Sequence, residues 1–219
     1  MSLERIRERN RCWLAGHGLL THPWFILGSA PDPTVPTDIA SRANLVCINN
    51  AGATAARLGL PPAKLTVRNT KKEWNSVAGC TLPLVLWMSN ANPLQVAWTR
   101  RFKANATVGE MRAMSKRVRA EITAHVLGND LNGIGNMHKP STGIFTAVYG
   151  LFVGAPGIIL GGVSMDKHGY SYGLLPGIQL HRDEDLFAMK VLAERDFPVR
   201  TTERDVAAQT GIPLYRSSA

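Results

Sequence analysis

Short apolar runs separated by polar and turn-forming residues recur along the chain. The runs occur at 24–28, 45–48, 65–68, 82–88, 158–160 and 197–201. Segments suited to helices lie between them, at 51–58, 108–126, 140–153 and 183–194, with a short one from residue 203 onward. Short continuous apolar runs are typical of buried parallel strands. The alternation predicts an α/β protein, with one mostly parallel sheet and helices on both faces.

The size and cysteine content narrow the class of protein. With 219 residues and 45% hydrophobic content, the chain can form one sizeable core, so we expect a single domain over 1–219. Cys12, Cys47 and Cys80 share no close spacing, which argues against a disulfide framework and a zinc site. No apolar run is long enough to span a bilayer, and the N-terminus is charged where a signal peptide is apolar. These features predict a cytoplasmic protein.

The charge of the chain favours anionic partners. The formal net charge is +9, which suits nucleic acid, anionic lipid or a phosphorylated glycan without choosing among them. Basic residues concentrate between Arg100 and Arg119. The later part of this stretch has the pattern of an amphipathic helix, which we predict over 108–126. The helix would present either an ordinary solvated face or a surface for an anionic partner.

Candidate binding residues follow the first two predicted strands. In an open α/β sheet, ligands bind beyond the carboxyl ends of the strands. Gly28 would let the backbone approach a ligand, and Ser29 offers a hydroxyl group, although the same loop suits an ordinary turn. Asn49 and Asn50 could hydrogen-bond a base or a phosphate, or could simply cap a helix.

A second group of candidates lies at the start of the apolar helix predicted over 140–153. Ser141, Thr142 and Gly143 would combine hydroxyl groups with the free N–H groups of a helix start, which suits a phosphate or a carboxylate. The alternative is an N-cap alone, and both interpretations are compatible.

His181 precedes an acidic helix start and is a candidate general base. A purely structural histidine is the alternative. Asp183 and Asp185 form an Asp-x-Asp pair that could hold a metal ion, but acidic residues also stabilise the first turn of a helix, which is the interpretation we prefer. The other histidines have no paired ligand spacing, and no nucleotide-binding glycine motif is present.

Together these segments resemble the sialylmotifs of sialyltransferases, over residues 24–202. Ile26–Pro31 with Leu45–Asn50 resembles the large motif, and Pro140–Ile144 with Ile158–Gly162 resembles the small motif. His181, followed by an acidic helix and the strand Phe197–Arg200, resembles the motif that carries the catalytic histidine.

The resemblance implies a Rossmann-like, sialyltransferase variant of the GT-A architecture, with a short lid at about 163–180. It implies inverting transfer of sialic acid or a similar acidic sugar from a CMP-sugar to a glycan or lipopolysaccharide acceptor, without a metal or other cofactor. Asn49 and the segment Ser141–Gly143 would bind the donor. His181 would deprotonate the acceptor, and Tyr172 would stabilise the departing phosphate.

The sequence departs from the family pattern in two places that bear on the reaction. Gly-Ser-Ala-Pro-Asp stands where bacterial enzymes usually have Gly-Asn-Gly-Pro-Ser, and Asp166 takes the place of a second tyrosine, with His168 and Tyr170 nearby as substitutes. Asp166 could instead act as the nucleophile of a retaining transferase for a donor of the CMP-Kdo type.

Two expectations concern the partners of the chain. A glycolipid acceptor would place the protein at the inner face of the membrane, bound to anionic lipid through Arg100–Arg119. The alternative from another class is a non-catalytic basic module that binds nucleotides or nucleic acid. The sequence leaves the oligomeric state open.

Overall fold

The computed structural model describes residues 1–69, 74–167, 169, 171 and 180–217. Its centre is one seven-stranded sheet of order β5-β4-β3-β2-β1-β6-β7, in which every neighbouring pair is parallel. The strands are β1 (Trp24–Leu27), β2 (Asn44–Ile48), β3 (Leu65–Asn69), β4 (Thr81–Met88), β5 (Thr107–Ala113), β6 (Ile158–Gly161) and β7 (Val199–Thr201). The predicted parallel α/β sheet is confirmed.

Eight α-helices accompany the sheet within the described residues. They are α1 (Leu3–Gly16), α2 (Ile39–Arg42), α3 (Ala51–Arg57), α4 (Pro93–Trp98), α5 (Lys116–Leu127), α6 (Thr142–Val153), α7 (Arg182–Glu194) and α8 (Arg204–Thr210). A 3₁₀ turn covers Trp74–Val77, and a π-helical turn, Thr99–Lys103, continues α4. No helix in the described ranges has the length and apolar character needed to cross a membrane.

Helices cover both faces of the sheet. In β1, Trp24 and Ile26 belong to the large core, which buried residues of α1, α5, α6 and α7 complete. Phe25 and Leu27 point to the other face and pack with buried residues of α2 and α3. Because alternate side chains of a strand face opposite sides, a strand covered on both sides is apolar throughout.

Helix α6 is the most deeply buried helix, and ten of its twelve residues are buried. Ser141 caps its start by accepting a hydrogen bond from the Ile144 amide at 3.4 Å, and Gly154 ends it in the left-handed conformation. An all-round apolar helix is stable only where neighbours surround it. The core thereby fixes the direction in which the N-terminus of α6 points.

The predicted helix 108–126 is wrong in its first part. The structure divides that stretch into the edge strand β5 and the helix α5, which Ser115 caps by accepting from the Val118 amide. Gly109 lies so close to the backbone of Pro83 on β4 that an added Cβ would be 2.4 Å from its carbonyl oxygen. Pairing with β4 therefore overrides the helical pattern of the sequence.

The order of the strands creates a crevice beside β1. The chain proceeds from β1 through β2, β3 and β4 to β5, and then returns through α5 and α6 to place β6 on the other side of β1. The connections after β1 and β6 consequently lead to helices on opposite faces of the sheet, α2 and α7. Ligands of open α/β sheets bind at such a switch point.

Gly28 allows these two loops to meet at the base of the crevice. Its amide donates to the Gly161 carbonyl at 2.7 Å, and the Ala30 amide donates to the Gly162 carbonyl at 2.8 Å. A Cβ on Gly28 would lie 2.3 Å from the Gly162 oxygen. Only glycine fits at this position without a backbone shift.

We predict that Gly28→Ala lowers the free energy of unfolding by about 1–3 kcal/mol, because the added methyl group overpacks the junction of β1 and β6. Denaturant unfolding measures the change. Gly52→Ala is the matched control: Gly52 lies in α3 with open space around its would-be Cβ, so that substitution should stabilise by about 0.5–1 kcal/mol. Equal stability of Gly28→Ala and the wild type would contradict the steric argument.

Candidate functional site

A cleft of about 420 Å³ lies at the carboxyl ends of β1, β2 and β6. Its wall comes from the loops after these strands, from the start of α6 and from the residues around the start of α7. The lining residues predicted from the sequence are Gly28, Ser29, Asn49, Ser141, Thr142, Gly143 and His181. Segments that are far apart in the chain are thus brought into one site.

Four other predicted residues are placed differently or cannot be placed. Asn50 and Asp166 lie next to lining residues but are not among the described residues that line the cleft. Tyr170 and Tyr172 lie outside the described residues, as do His168 and most of the predicted lid at 163–180.

Asn49 and Asn50 have different surroundings although they are adjacent. Asn49 adopts a positive φ of 52°. Its side-chain Oδ1 accepts a hydrogen bond from the Asn69 amide at 2.9 Å, and the NH₂ group of the same carboxamide remains as a donor. The Asn50 Oδ1 accepts from the Ser76 hydroxyl at 2.8 Å and from Arg68 at 3.2 Å. Asn49 is therefore the ligand candidate, and Asn50 joins β2 to the turn after β3.

The start of α6 presents backbone donors to the cleft. Thr142 and Gly143 are the first residues of the helix and line the cleft, and the first-turn amides of a helix have no acceptor within it. The Ser141 amide is already occupied, since it donates to the Asp185 carboxylate at 2.7 Å. The remaining donors and the positive end of the helix dipole suit an anionic group.

His181 has its ring orientation fixed by the loop before α6. Its Nδ1 lies 3.0 Å from the Lys139 carbonyl oxygen, and because a carbonyl can only accept, Nδ1 carries the hydrogen. Nε2 then has the lone pair. A partly buried histidine of this tautomer at the edge of a cleft can accept a proton from a bound hydroxyl.

Acidic side chains in the first turn of α7 hydrogen-bond the loop before α6. Buried Glu184 accepts from the Met137 and His138 amides at 2.6 and 2.9 Å, while Asp185 accepts from Ser141. The sequence indicated the acids as a helix start but did not reveal these contacts with a loop more than 40 residues upstream. Among the described residues, no cluster of three metal-ligating side chains occurs.

Burial, together with a smaller effect of the Glu184 charge, raises the pKa of Asp185 to about 7, although the hydrogen bonds from Ser141 act to lower it. A raised pKa means that the folded protein favours the protonated form. Protonated Asp185 therefore contributes fully to the stability of the fold at a pH below the ordinary carboxyl pKa, and this contribution is lost as the pH rises to about 7.

Asp166 lies in a loop that α8 anchors. Its carboxylate accepts a hydrogen bond from the Gln209 side chain at 2.9 Å, and its backbone amide donates to the Asp205 carboxylate at 3.2 Å. Burial acts to raise the pKa of Asp205, but the hydrogen bonds from the Ser164 hydroxyl and the Met165 and Asp166 amides outweigh it, and the pKa is lowered. The loop after β6 is thus held by an ionised carboxylate.

The cleft is rich in positive charge. Among the described residues, Arg119, Lys139, Lys167 and Arg182 line it, together with one carboxylate, Asp185. Partial burial lowers the pKa of Arg119, whose Nε is buried without a hydrogen-bond partner in the described part of the chain. The sequence placed Arg119 in a surface patch and missed its position in the cleft. This electrostatic balance favours an anionic ligand.

We predict that Asp185→Asn flattens the pH dependence of stability. The variant keeps a neutral acceptor for the Ser141 amide, so it should match the wild type near pH 4 and exceed it by a few kcal/mol, on the order of 1.4 kcal/mol per pKa unit, above about pH 7. Denaturant unfolding at several pH values measures the difference. The exposed neighbour Asp183→Asn is the control and should follow the wild type. Parallel profiles for Asp185→Asn and the wild type would refute the assignment.

Comparisons with known proteins identify the fold. No family model and no curated protein matches the sequence. Among solved structures, the sialyltransferase CstII from Campylobacter jejuni, in complex with the substrate analogue CMP-3FNeuAc, matches with a TM-score of 0.54 and 11% identity, covering 89% of this chain and 86% of that one. The monofunctional α-2,3-sialyltransferase Cst-I from the same organism matches with a TM-score of 0.53 and 13% identity, covering 90% and 84%. The chain therefore has a sialyltransferase-like fold.

Proposed function

We propose that the protein is a glycosyltransferase that moves sialic acid or a similar acidic sugar from a CMP-sugar to a glycan or lipopolysaccharide acceptor. The observation that carries the proposal is the meeting of His181, Asn49 and the N-terminus of α6 in one basic cleft at the switch point of the sheet. The shared fold supports it, since the CstII structure holds a CMP-sugar analogue.

The donor would be bound by neutral and cationic groups together. The amides of Thr142 and Gly143 would donate to the phosphate or the sugar carboxylate, and the NH₂ group of Asn49 would contact the nucleotide. Lys139 and Arg119 add positive charge to the same wall. Since these groups can neutralise the donor, we propose a reaction that needs no metal ion.

His181 would act on the acceptor. Its Nε2 accepts the proton of the acceptor hydroxyl while that oxygen attacks the anomeric carbon of the donor sugar. The bond from the anomeric carbon to the phosphate oxygen breaks, and its electron pair leaves with CMP. Attack opposite to the leaving group inverts the configuration. We propose that Tyr172, with Tyr170, donates hydrogen bonds to the phosphate as charge builds on it.

The retaining alternative with Asp166 as nucleophile receives less support. A nucleophile must reach the anomeric carbon, but the Asp166 carboxylate hydrogen-bonds Gln209 of α8 and does not line the cleft. The inverting reaction requires no movement of this group.

We predict that His181→Asn lowers transfer from CMP-N-acetylneuraminate by about 10²–10⁴-fold, because the general base is removed, while CMP affinity stays within about twofold. Transfer to a panel of galactose-terminated oligosaccharides and lipopolysaccharide cores measures the first effect, and calorimetry measures the second. His22→Asn, at an exposed position, is the control and should leave both unchanged. Unchanged transfer in His181→Asn would remove the histidine from the mechanism.

We predict that Asp166→Asn retains transfer within about tenfold and that the product has inverted anomeric configuration, as an attack without a covalent intermediate requires. Nuclear magnetic resonance of the first-formed product determines the configuration. A retained configuration together with loss of transfer in Asp166→Asn would establish the double-displacement alternative.

A further inference from the structure

The segment Pro93–Lys103, here called the edge segment, connects β4 to the edge strand β5 and packs on both strands. It consists of α4 and the π-helical turn that continues it. Asn92 starts it with a capping box, in which its side chain accepts from the Gln95 amide at 2.9 Å and the Gln95 side chain accepts from the Asn92 amide at 3.0 Å. The cap gives this short segment a defined start.

One side of the edge segment fixes it to the sheet. Val96 packs on the small core that contains Val85 and Met111, and Thr99 is buried. The Arg100 side chain donates to the Gly109 carbonyl of β5 at 2.8 Å. These contacts hold the segment in place and determine which side chains point outward.

The outward side is apolar. Leu94, Trp98 and Phe102 follow one another at steps of four residues, and they are 81%, 50% and 68% exposed. The rings of Trp98 and Phe102 lie 6.4 Å apart, so the exposed groups form a continuous patch. Contiguous exposed apolar side chains of this kind mark interaction surfaces.

Positive charge borders the patch. The Lys103 ammonium lies 4.9 Å from the ring centre of Trp98, and the Arg101 guanidinium lies 5.8 Å from that of Phe102. The sequence has no Asp or Glu from 74 to 109. The surface is thus aromatic and cationic without a nearby acidic residue in its own stretch of chain.

Three arginines in the later part of the basic stretch have contacts elsewhere. Arg112 stacks over the Trp13 ring at 4.6 Å, Arg117 pairs with Glu121 at 2.7 Å, and Arg119 lines the cleft. Within the surface expected over Arg100–Arg119, Arg101 and Lys103 of the edge segment are the cations that lie beside the exposed aromatic rings.

We propose that the edge segment docks on the surface of an anionic lipid bilayer. Leu94, Trp98 and Phe102 enter the boundary between head groups and acyl chains, where tryptophan is favoured, while Arg101 and Lys103 contact lipid phosphates. This docking is independent of the glycosyl transfer proposed above, because the edge segment and the cleft share no residue.

Other occupants fit the patch less well. Single-stranded nucleic acid would stack bases on the ring faces, but cationic groups already lie over Trp98 and Phe102. A two-fold dimer through the same patch would bring the arginines and lysines of both copies together, which like-charge repulsion opposes. A bilayer supplies both the apolar phase and the negative charge.

The test is co-sedimentation of the full chain with vesicles of phosphatidylcholine containing phosphatidylglycerol, compared with phosphatidylcholine alone. Trp98→Ser/Phe102→Ser and Arg101→Gln/Lys103→Gln should each weaken binding to the anionic vesicles by about tenfold or more. The control Arg5→Gln/Lys190→Gln removes the same charge from other exposed positions and should bind within about twofold of the wild type. Calorimetry with CMP checks separately that the cleft is intact in every variant.

Several results would overturn the proposal. They are wild-type protein that stays in the supernatant, equal binding to neutral vesicles, and equal losses in the control and in the edge-segment variants. A concentration-dependent dimer that Trp98→Ser/Phe102→Ser dissociates would assign the patch to a second copy. Binding to single-stranded RNA that the same variants abolish, without vesicle binding, would assign it to nucleic acid.

Discussion

The hydrogen bonds between the first turn of α7 and the loop before α6 are the constraint on which the site depends. Glu184 and Asp185 accept three backbone amides of this loop, and His181 donates to one of its carbonyls. The loop therefore cannot move without disturbing the orientation of His181 and the direction of the α6 N-terminus. A group suited to deprotonate an acceptor and a group suited to bind an anion are held in fixed relation by one set of contacts. These hydrogen bonds require the burial of two carboxylates, which costs free energy, and the raised pKa of Asp185 reflects that cost.

The sheet supplies the rest of the geometry. The switch point beside β1 opens the cleft, and the absence of a side chain at Gly28 lets the loops after β1 and β6 close its base. The cationic side chains around the cleft then select the charge of the ligand, while the shape of the cleft comes from the backbone. Fold, electrostatics and the histidine tautomer all support the proposed anionic donor and hydroxyl acceptor, although identity to the two similar solved structures is only 11–13%.

Much of this architecture follows from the sequence, for physical reasons. Central strands are buried on both faces, so β1, β2 and β6 appear as continuous apolar runs. The edge strand β5 has one buried residue among its seven, and because its pattern resembles that of a helix, the sequence does not reveal it as a strand. Helix α1 was also not predicted. The residues of the cleft follow strand ends and a helix start, but the inward position of Arg119 and the loop contacts of Glu184 depend on tertiary packing between distant segments.

Calorimetric titration of the purified protein with CMP, UDP, GDP and ADP, with and without magnesium, tests the proposed donor site. We propose that the cleft binds the donor of an acidic sugar through α6, Asn49 and cationic side chains alone. CMP should bind most tightly of the four nucleotides, with the same affinity in the presence and absence of magnesium. Preferred binding of UDP or GDP, or binding that requires magnesium, would contradict it.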